Sequence, residues 1–151
     1  MHSFVSNLLA ALPKGDALDD PAWSVRHRGI LYILWLHVLG VPLYGAYMGA
    51  GPSLYLGGGA LLGAIAIAAQ LPAVGRRLQA AIATYGLVTA SALLVHLSSG
   101  RIELHFHFFV MMSVIVLYQD WLPFLVGLQF IVIDHGILGT LVPSMVYVHA
   151  E

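Results

Sequence analysis

Histidine is the residue type in this chain that is best suited to carry chemistry, and it occurs eight times in 151 residues. Five of the histidines lie within or beside long apolar stretches, where an ionisable side chain is costly and by default marks a functional site. Neutral imidazole binds zinc, copper, iron and nickel, and a carboxylate can complete the shell. We therefore predict a transition-metal site for copper, zinc or iron, with the ligands His37, His96, Glu103, His105, His107 and His135.

A second group of residues suits a supporting role at such a site. Asp134 precedes His135 and can orient an imidazole, as carboxylates around metal centres do. His149 is a further candidate ligand. Met111 and Met112 follow the paired histidines, and their thioethers suit copper(I), although ordinary packing is the commoner role of methionine.

The spacing of the histidines limits how they combine. His105 and His107 are two residues apart, so on a regular helix their side chains point about 200° from one another and do not bind one ion together. His37 and His135 are each expected roughly 16 Å below the outer surface. Two imidazoles at equal depth also suit a bis-histidine haem b. This alternative stays open, as does a purely structural or proton-handling network.

One histidine is expected to behave differently from the others. His27 lies between Arg26 and Arg28, just before the first apolar stretch. Basic clusters beside a membrane span bind the anionic headgroups of lipids. We therefore predict that His27 belongs to a headgroup-binding cluster.

The composition indicates what kind of element holds these residues. Hydrophobic residues make up 60% of the chain and charged residues only 9%, whereas a soluble domain averages about 25% charged residues. Polar surface is too scarce for water alone, so the lipid bilayer is a predicted partner. A net charge of −1 argues against nucleic acid as a partner, and the absence of cysteine excludes thiolate zinc sites, iron–sulfur clusters and disulfides.

Apolar stretches separated by turn residues predict an all-α fold, a polytopic transmembrane helical bundle of about five spans. A bilayer needs about 20 apolar residues per span, and short loops predict antiparallel neighbours. We expect a short N-terminal amphipathic segment on the membrane surface over residues 1–20 and the transmembrane bundle over residues 21–151. The spans are predicted near residues 28–49, 53–71, 78–98, 102–118 and 122–146.

Basic residues are distributed unevenly between the two sides of this predicted bundle. The positive-inside rule places the basic side, and with it the N-terminus, in the cytoplasm of a multi-pass inner (cytoplasmic) membrane protein. The candidate ligands then all lie in the outer half of the bundle. Arg101 lies on the outer side, and the inner side carries Lys14, Arg26, Arg28, Arg76 and Arg77.

Several motifs resemble those of a known signalling module, and together they extend over most of the chain, from about residue 12 to residue 149. They are Arg26-His27-Arg28, Leu34-Trp35-Leu36-His37, Val95-His96-Leu97-Ser98, Glu103-Leu104-His105-Phe106-His107-Phe108-Phe109, Leu117-Tyr118-Gln119-Asp120-Trp121 and His135-Gly136. This set resembles the N-terminal multi-span membrane sensor module of bacterial signalling proteins, namely diguanylate cyclases and phosphodiesterases, histidine kinases and chemotaxis receptors.

The resemblance implies a sensor for signal transduction that acts on a cytoplasmic output domain or partner protein, and we also expect a homodimer. Two departures from the module are visible. Its members often carry a second histidine where Asp134 stands here, which leaves the composition of the deep shell open. They also continue beyond the region of His149 into a sixth span, so an isolated or truncated sensor module is expected here.

A function from another class is a small membrane metalloenzyme of the di-iron oxidase type. Such enzymes carry histidines three or four residues apart on one helix face, whereas the close pair here is His105-x-His107. No phosphate loop, nucleotide motif or serine–histidine–acid arrangement is visible. We therefore assign no catalytic residue and favour a sensor over an enzyme, with a structural membrane anchor as a third alternative.

Overall fold

The structure, a computed structural model, describes residues 18–141. Within this range the chain folds into helices joined by short turns, and no strand occurs. The predicted all-α fold is therefore confirmed for the described part of the chain. The helices are α1 (Asp20–Tyr47), α2 (Pro52–Ala68), α3 (Arg76–Leu97), α4 (Ile102–Ile115) with a 3-10 turn (Val116–Tyr118), and α5 (Trp121–Ile131) with a π-helical segment (Val132–Leu138) and a last turn (Gly139–Leu141).

Two aspartates determine where helices begin. Asp19 accepts a hydrogen bond from the backbone N–H of Ala22 at 2.9 Å, and Pro21 occupies the first turn of α1. Asp120 accepts from the backbone N–H of Leu122 at 3.0 Å at the start of α5. Each cap satisfies a backbone N–H that has no partner inside the helix, so the start of each helix is fixed locally.

Helix α3 is the centre of the bundle. In its most apolar stretch 67% of residues are buried, compared with 28% in α1 and 12% in the helix Trp121–Leu141. Small residues allow the neighbours to approach, as is usual between membrane helices. A Cβ atom on Gly86 would lie 2.9 Å from Ile65 Cγ2 and 3.0 Å from Leu34 Cδ1. Glycine is therefore what lets α1 and α2 both pack against α3 at this level.

Contacts at one end of the bundle show that the helices run up and down. His27, near the start of α1, contacts the carbonyl group of Ala69, just after the end of α2, and the side chain of Tyr118, at the end of the 3-10 turn. Arg76, at the start of α3, lies 2.8 Å from Asp20, at the start of α1. Neighbouring helices along the chain are therefore antiparallel, as the short loops predict.

Three of the described helices are long and apolar enough to cross a membrane: Asp20–Tyr47, Arg76–Leu97 and Trp121–Leu141. Pro52–Ala68 and Ile102–Tyr118 are apolar but shorter, so the count of about five spans stays a prediction. Many large apolar side chains are exposed on the outside of the bundle, and such a surface suits lipid better than water. Examples are Leu36, Leu39, Leu43, Phe109 and Leu141.

Three predictions fall wholly or partly outside the described residues. The amphipathic N-terminal segment is predicted over residues 1–20, of which the structure describes only 18–20. The predicted fifth span extends to residue 146, beyond residue 141 where the description stops. The candidate ligand His149 also lies outside the described range.

Candidate histidine site

Two of the predicted ligands meet inside the bundle. His37 of α1 and His107 of α4 are 70 positions apart in the chain, and their Nε2 atoms lie 3.1 Å apart. The two rings are nearly perpendicular, with centroids 5.0 Å apart and an interplanar angle of 68°. Both side chains are half-buried. We refer to these two residues as the inner pair.

The other ring nitrogen of each inner-pair histidine is also engaged. His37 Nδ1 lies 2.7 Å from the carbonyl oxygen of Ile33, one turn earlier in α1. His107 Nδ1 lies 2.8 Å from Ser91 Oγ of α3. Ser91 is fully buried and its hydroxyl donates to the carbonyl oxygen of Leu87 at 3.1 Å. Three helices therefore hold the inner pair in position.

The inner pair lies within the bundle and not at its surface. Ser91 is six residues before Leu97, the last residue of α3. At about 1.5 Å per residue, the hydroxyl that contacts His107 is roughly 9 Å below the end of α3. A polar chain at this level has little water to bond, so its hydrogen bonds with protein atoms matter for stability.

A second pair of histidines joins α4 to the π-helical segment. The rings of His105 and His135 are nearly perpendicular, with centroids 5.1 Å apart and an interplanar angle of 80°. Phe108 packs edge-on against His135 at a centroid distance of 4.9 Å. Asp134 Oδ2 lies 3.2 Å from His135 Nδ1, and His105 Nδ1 lies 3.0 Å from the carbonyl oxygen of Arg101. We refer to His105 and His135 as the outer pair.

The π-helical segment Val132–Leu138 contains both Asp134 and His135. A π-helix is rare in proteins, and it occurs frequently at functional sites. Its wider turn changes the direction in which successive side chains point, compared with an α-helix. Asp134 and His135 are both half-buried here, so neither of these adjacent polar side chains is turned fully towards the outside of the bundle.

The His105-x-His107 motif serves two different neighbours. The sequence predicts that the two side chains point in different directions. In the structure His107 contacts His37 of α1, and His105 contacts His135, which follows α5 in the π-helical segment. His37 and His135, which the sequence places at equal depth, each contact a histidine of α4. A depth counted along each helix ignores helix tilt and side-chain length, and both affect which histidines meet.

The remaining predicted ligands are placed differently. His96 and Glu103 are exposed, at the end of α3 and in the first turn of α4. Met111 is 4% exposed in the apolar core. Met112 packs against Gly127, with its sulfur 2.8 Å from where a Cβ atom on that glycine would lie. Within residues 18–141 no three or more histidine and carboxylate side chains come together in a way that would hold a metal ion.

The prediction that His27 binds lipid headgroups is wrong, because the side chain is buried. It is 6% exposed, its Nδ1 lies 2.7 Å from the Tyr118 hydroxyl, and its Nε2 lies 3.1 Å from the carbonyl oxygen of Ala69. The ring also stacks on Trp23, with centroids 4.5 Å apart and an interplanar angle of 16°. Because both nitrogens and one face have protein partners, His27 joins three parts of the bundle.

Charged side chains close the same end of the bundle around His27. Arg26 donates to the carbonyl oxygen of Leu117 at 2.8 Å. Arg77 Nε lies 3.0 Å from Asp120 Oδ2, and the Asp120 side chain is 10% exposed. Arg26 and Arg77 therefore also connect helix ends, in addition to contributing to the basic side of the bundle.

Ser91 and Tyr118 have structural roles that their sequence positions did not predict. Ser91 lies in a run of small residues in α3, where packing explains a serine equally well. Tyr118 lies beside Trp121 near a turn, which is typical of an interfacial aromatic residue. The role of each residue depends on contact with a histidine that is 16 or 91 positions away in the chain, and the local sequence does not reveal such a contact.

Comparison with known proteins found one curated relative at a convincing level of similarity. The chain is 36% identical over 157 aligned residues to transducer protein Htr8 of Halobacterium salinarum. The match covers 96% of this chain and 24% of Htr8, so the chain spans about a quarter of the length of that relative. No family model matches the chain, and no solved structure matches it. Similarity to a transducer agrees with the resemblance to signalling proteins and supports a role in signal transduction.

Proposed function

We propose that the chain is a membrane-embedded sensory module for signal transduction that binds a transition metal through histidines in the outer half of its helical bundle. The observation that carries the sensory role is the 36% identity to a transducer over nearly the whole chain. A segment that matches one quarter of a longer transducer is suited to be one functional part of it. The output is then made by a cytoplasmic domain or partner protein, and the working unit is a homodimer.

The metal-binding part of the proposal is supported by the histidine pairs. Two imidazoles with nitrogens 3.1 Å apart, inside an apolar bundle, are the donor type that copper, zinc and iron prefer. Each inner-pair histidine also has its second nitrogen engaged, as metal-ligating histidines almost always do. Copper, zinc and iron all remain candidates for the ion.

Haem b is the less favoured cofactor on this geometry. Two axial histidines lie on opposite sides of the iron, so at metal–nitrogen distances of about 2.0–2.1 Å their Nε2 atoms are about 4 Å apart. The inner pair has its Nε2 atoms 3.1 Å apart and its rings nearly perpendicular. A macrocycle between these two rings would require α1 and α4 to separate. The di-iron oxidase alternative has no comparable support in the described geometry.

The proposed topology places the end that carries Arg26, Arg76 and Arg77 in the cytoplasm of an inner-membrane protein with about five spans. It is supported by the positive-inside rule and by the antiparallel helices. The buried contacts of His27 lie at this inner end, and both histidine pairs lie nearer the outer end. A ligand that reaches the histidines from outside and an output domain inside would then occupy opposite ends of the bundle.

The proposal is tested by purifying the full chain in detergent, recording its absorbance spectrum and measuring its metal content. We expect about one equivalent of copper, zinc or iron and no Soret band. The sensory role is tested separately by joining the chain to the cytoplasmic part of a transducer such as Htr8 and measuring the output with and without added metal. Metal-free protein after reconstitution with each ion would overturn the metal-binding part, and an output that never responds would overturn the sensory part.

A further inference from the structure

The proton positions at His37 determine what its Nε2 atom can do. A carbonyl oxygen only accepts hydrogen bonds, so His37 Nδ1, 2.7 Å from the Ile33 oxygen, must carry the proton. In a neutral imidazole the other nitrogen is then a bare lone pair. His37 Nε2 therefore presents a lone pair towards His107.

The same reasoning applies to His107 through Ser91. The Ser91 hydroxyl has one hydrogen, and it donates that hydrogen to the Leu87 oxygen at 3.1 Å. The Ser91 oxygen is then an acceptor for His107 Nδ1 at 2.8 Å, so the proton of His107 is on Nδ1. In this arrangement His107 Nε2 is a second bare lone pair, and it faces His37 Nε2 at 3.1 Å.

We propose that His37 and His107 chelate one divalent first-row transition ion through their Nε2 atoms, with Ile33 and Ser91 holding each ring in the ligating tautomer. This inference rests on the proposed function and names the particular site within it. Two lone pairs at this distance repel one another, and a cation between them turns that repulsion into two bonds. At metal–nitrogen distances of about 2.0–2.1 Å, a nitrogen separation of 3.1 Å gives a nitrogen–metal–nitrogen angle of roughly 100°.

This angle limits the ion and its other ligands. Roughly 100° fits neighbouring positions of a tetrahedral, square-planar or octahedral ion, which zinc, copper(II) and iron(II) adopt. It does not fit two-coordinate copper(I), whose two ligands lie opposite one another. Two neutral imidazoles leave the charge of the ion uncompensated and its remaining positions unfilled by the inner pair. Those positions suit water or a small exogenous anion, which makes the site a place where a small external ligand can bind.

An alternative proton arrangement needs no metal. If Ser91 turns its hydroxyl towards His107 Nδ1, then His107 Nε2 carries a proton and donates it to His37 Nε2. This produces a neutral chain of hydrogen bonds from Ser91 to the Ile33 carbonyl, at the expense of the bond to Leu87. The two arrangements predict different behaviour towards added metal, so one experiment separates them.

The test is copper(II) titration of the purified full chain in detergent, followed by electron paramagnetic resonance. We expect one equivalent of bound copper whose spectrum shows coupling to two imidazole nitrogens. His37→Phe and His107→Phe keep a ring of similar size without nitrogens. Each removes a metal ligand, so each should weaken copper binding on the order of 100-fold or more. This is a larger loss than removing a group that only hydrogen-bonds to a ligand. His105→Phe makes the same change in the outer pair and shows whether that pair takes part. Phe106→Leu is the matched control, because Phe106 lies on the same helix, is 62% exposed and carries no donor atom, so the affinity should change by less than about 3-fold.

Ser91 provides a second measurement that does not depend on removing a ligand. It acts as a positioning residue, so Ser91→Ala should keep the coupling to two nitrogens but lower copper affinity by roughly 10–100-fold. Ser91→Thr retains the hydroxyl and should restore most of the affinity. Circular dichroism and size-exclusion profiles that match the wild type establish that each variant is folded.

Three results would overturn the inference or part of it, and they differ in whether the proposed metal-binding function survives. Copper binding that survives His37→Phe and His107→Phe but is lost in His105→Phe assigns the metal to the outer pair, so metal sensing stands and the inner-pair site is wrong. A wild-type chain that binds no copper, zinc or iron supports the neutral hydrogen-bond chain and removes the metal from the proposed function as well. Copper binding in which Ser91→Ala and Ser91→Thr both match the wild type removes the positioning role of Ser91.

Discussion

His27 Nδ1 lies 2.7 Å from the hydroxyl of Tyr118, although the two residues are 91 positions apart in the chain. His27 Nε2 faces the Ala69 carbonyl at 3.1 Å and must carry the proton, because a carbonyl only accepts. The Tyr118 hydroxyl is therefore the donor to His27 Nδ1. One neutral imidazole connects α1, the end of α2 and the end of the 3-10 turn.

Tyr118→Phe removes this donor and leaves the buried His27 Nδ1 without it. We expect the free energy of unfolding to fall by about 1–3 kcal/mol, the usual cost of an unsatisfied buried polar group. Unfolding by added denaturing detergent measures the change. Tyr47→Phe is the control, since Tyr47 is 84% exposed. Equal stability of the two variants would show that the His27 contact contributes nothing.

Gly86→Val tests the close packing of α1 and α2 on α3. The new side chain must displace Leu34 and Ile65, which lie about 3.0 Å from the position of its Cβ. We expect a loss of about 1–3 kcal/mol, the usual effect of overpacking. Gly29→Val is the matched control on α1, because no atom lies within 4 Å of its Cβ position. Stability should be measured for both in the same detergent, and a loss at Gly29 as large as that at Gly86 would contradict the packing explanation.

The pairing of the histidines can be tested by double-mutant cycles on thermal stability, without metal. Residues in contact show interaction energies of about 0.5–3 kcal/mol, whereas distant residues are additive within about 0.5 kcal/mol. We expect coupling between His37→Phe and His107→Phe, and between His105→Phe and His135→Phe. The combination of His37→Phe with His105→Phe should be additive. Coupling found only between His37→Phe and His135→Phe would contradict both pairs and favour the haem alternative.

Asp120 combines a helix cap with an ion pair, and two substitutions separate them. Asp120→Asn keeps an acceptor for the Leu122 N–H but removes the charge beside Arg77, whereas Asp120→Ala removes both. We expect the alanine variant to be less stable than the asparagine variant by about 1 kcal/mol, the value of a cap. Asp20→Ala should change stability by less than about 1 kcal/mol, because the Asp20 side chain is 89% exposed. Thermal unfolding measured by circular dichroism compares the three.

The helices were predictable from sequence because apolar length and turn residues are local signals. The spans predicted near residues 53–71 and 122–146 begin within one residue of Pro52 and Trp121, where α2 and α5 begin. The motifs that resemble a sensor module also indicate signalling, in agreement with the similarity to a transducer. The count of about five spans goes beyond what the three long helices support.

The partners of the histidines were not predictable, for a physical reason. In a soluble helix the polar face shows which side points to the core, but lipid-facing helices are apolar on every side and carry no such signal. The rotation of α1, α4 and α5 about their axes was therefore undetermined, and with it the neighbour of each histidine. His27 was misassigned for the opposite reason, because its charged neighbours Arg26 and Arg28 gave a strong local signal that its own burial overrides.

Helix α4 contacts α1 through one side and the π-helical segment through the other, using two histidines only two residues apart. Turning α4 about its own axis therefore moves His107 and His105 in opposite directions across the bundle. Such a rotation changes the inner and the outer pair together, since a rigid helix cannot swing one histidine and leave the other in place. The geometry of the inner pair and that of the outer pair are therefore coupled through the rotation angle of α4.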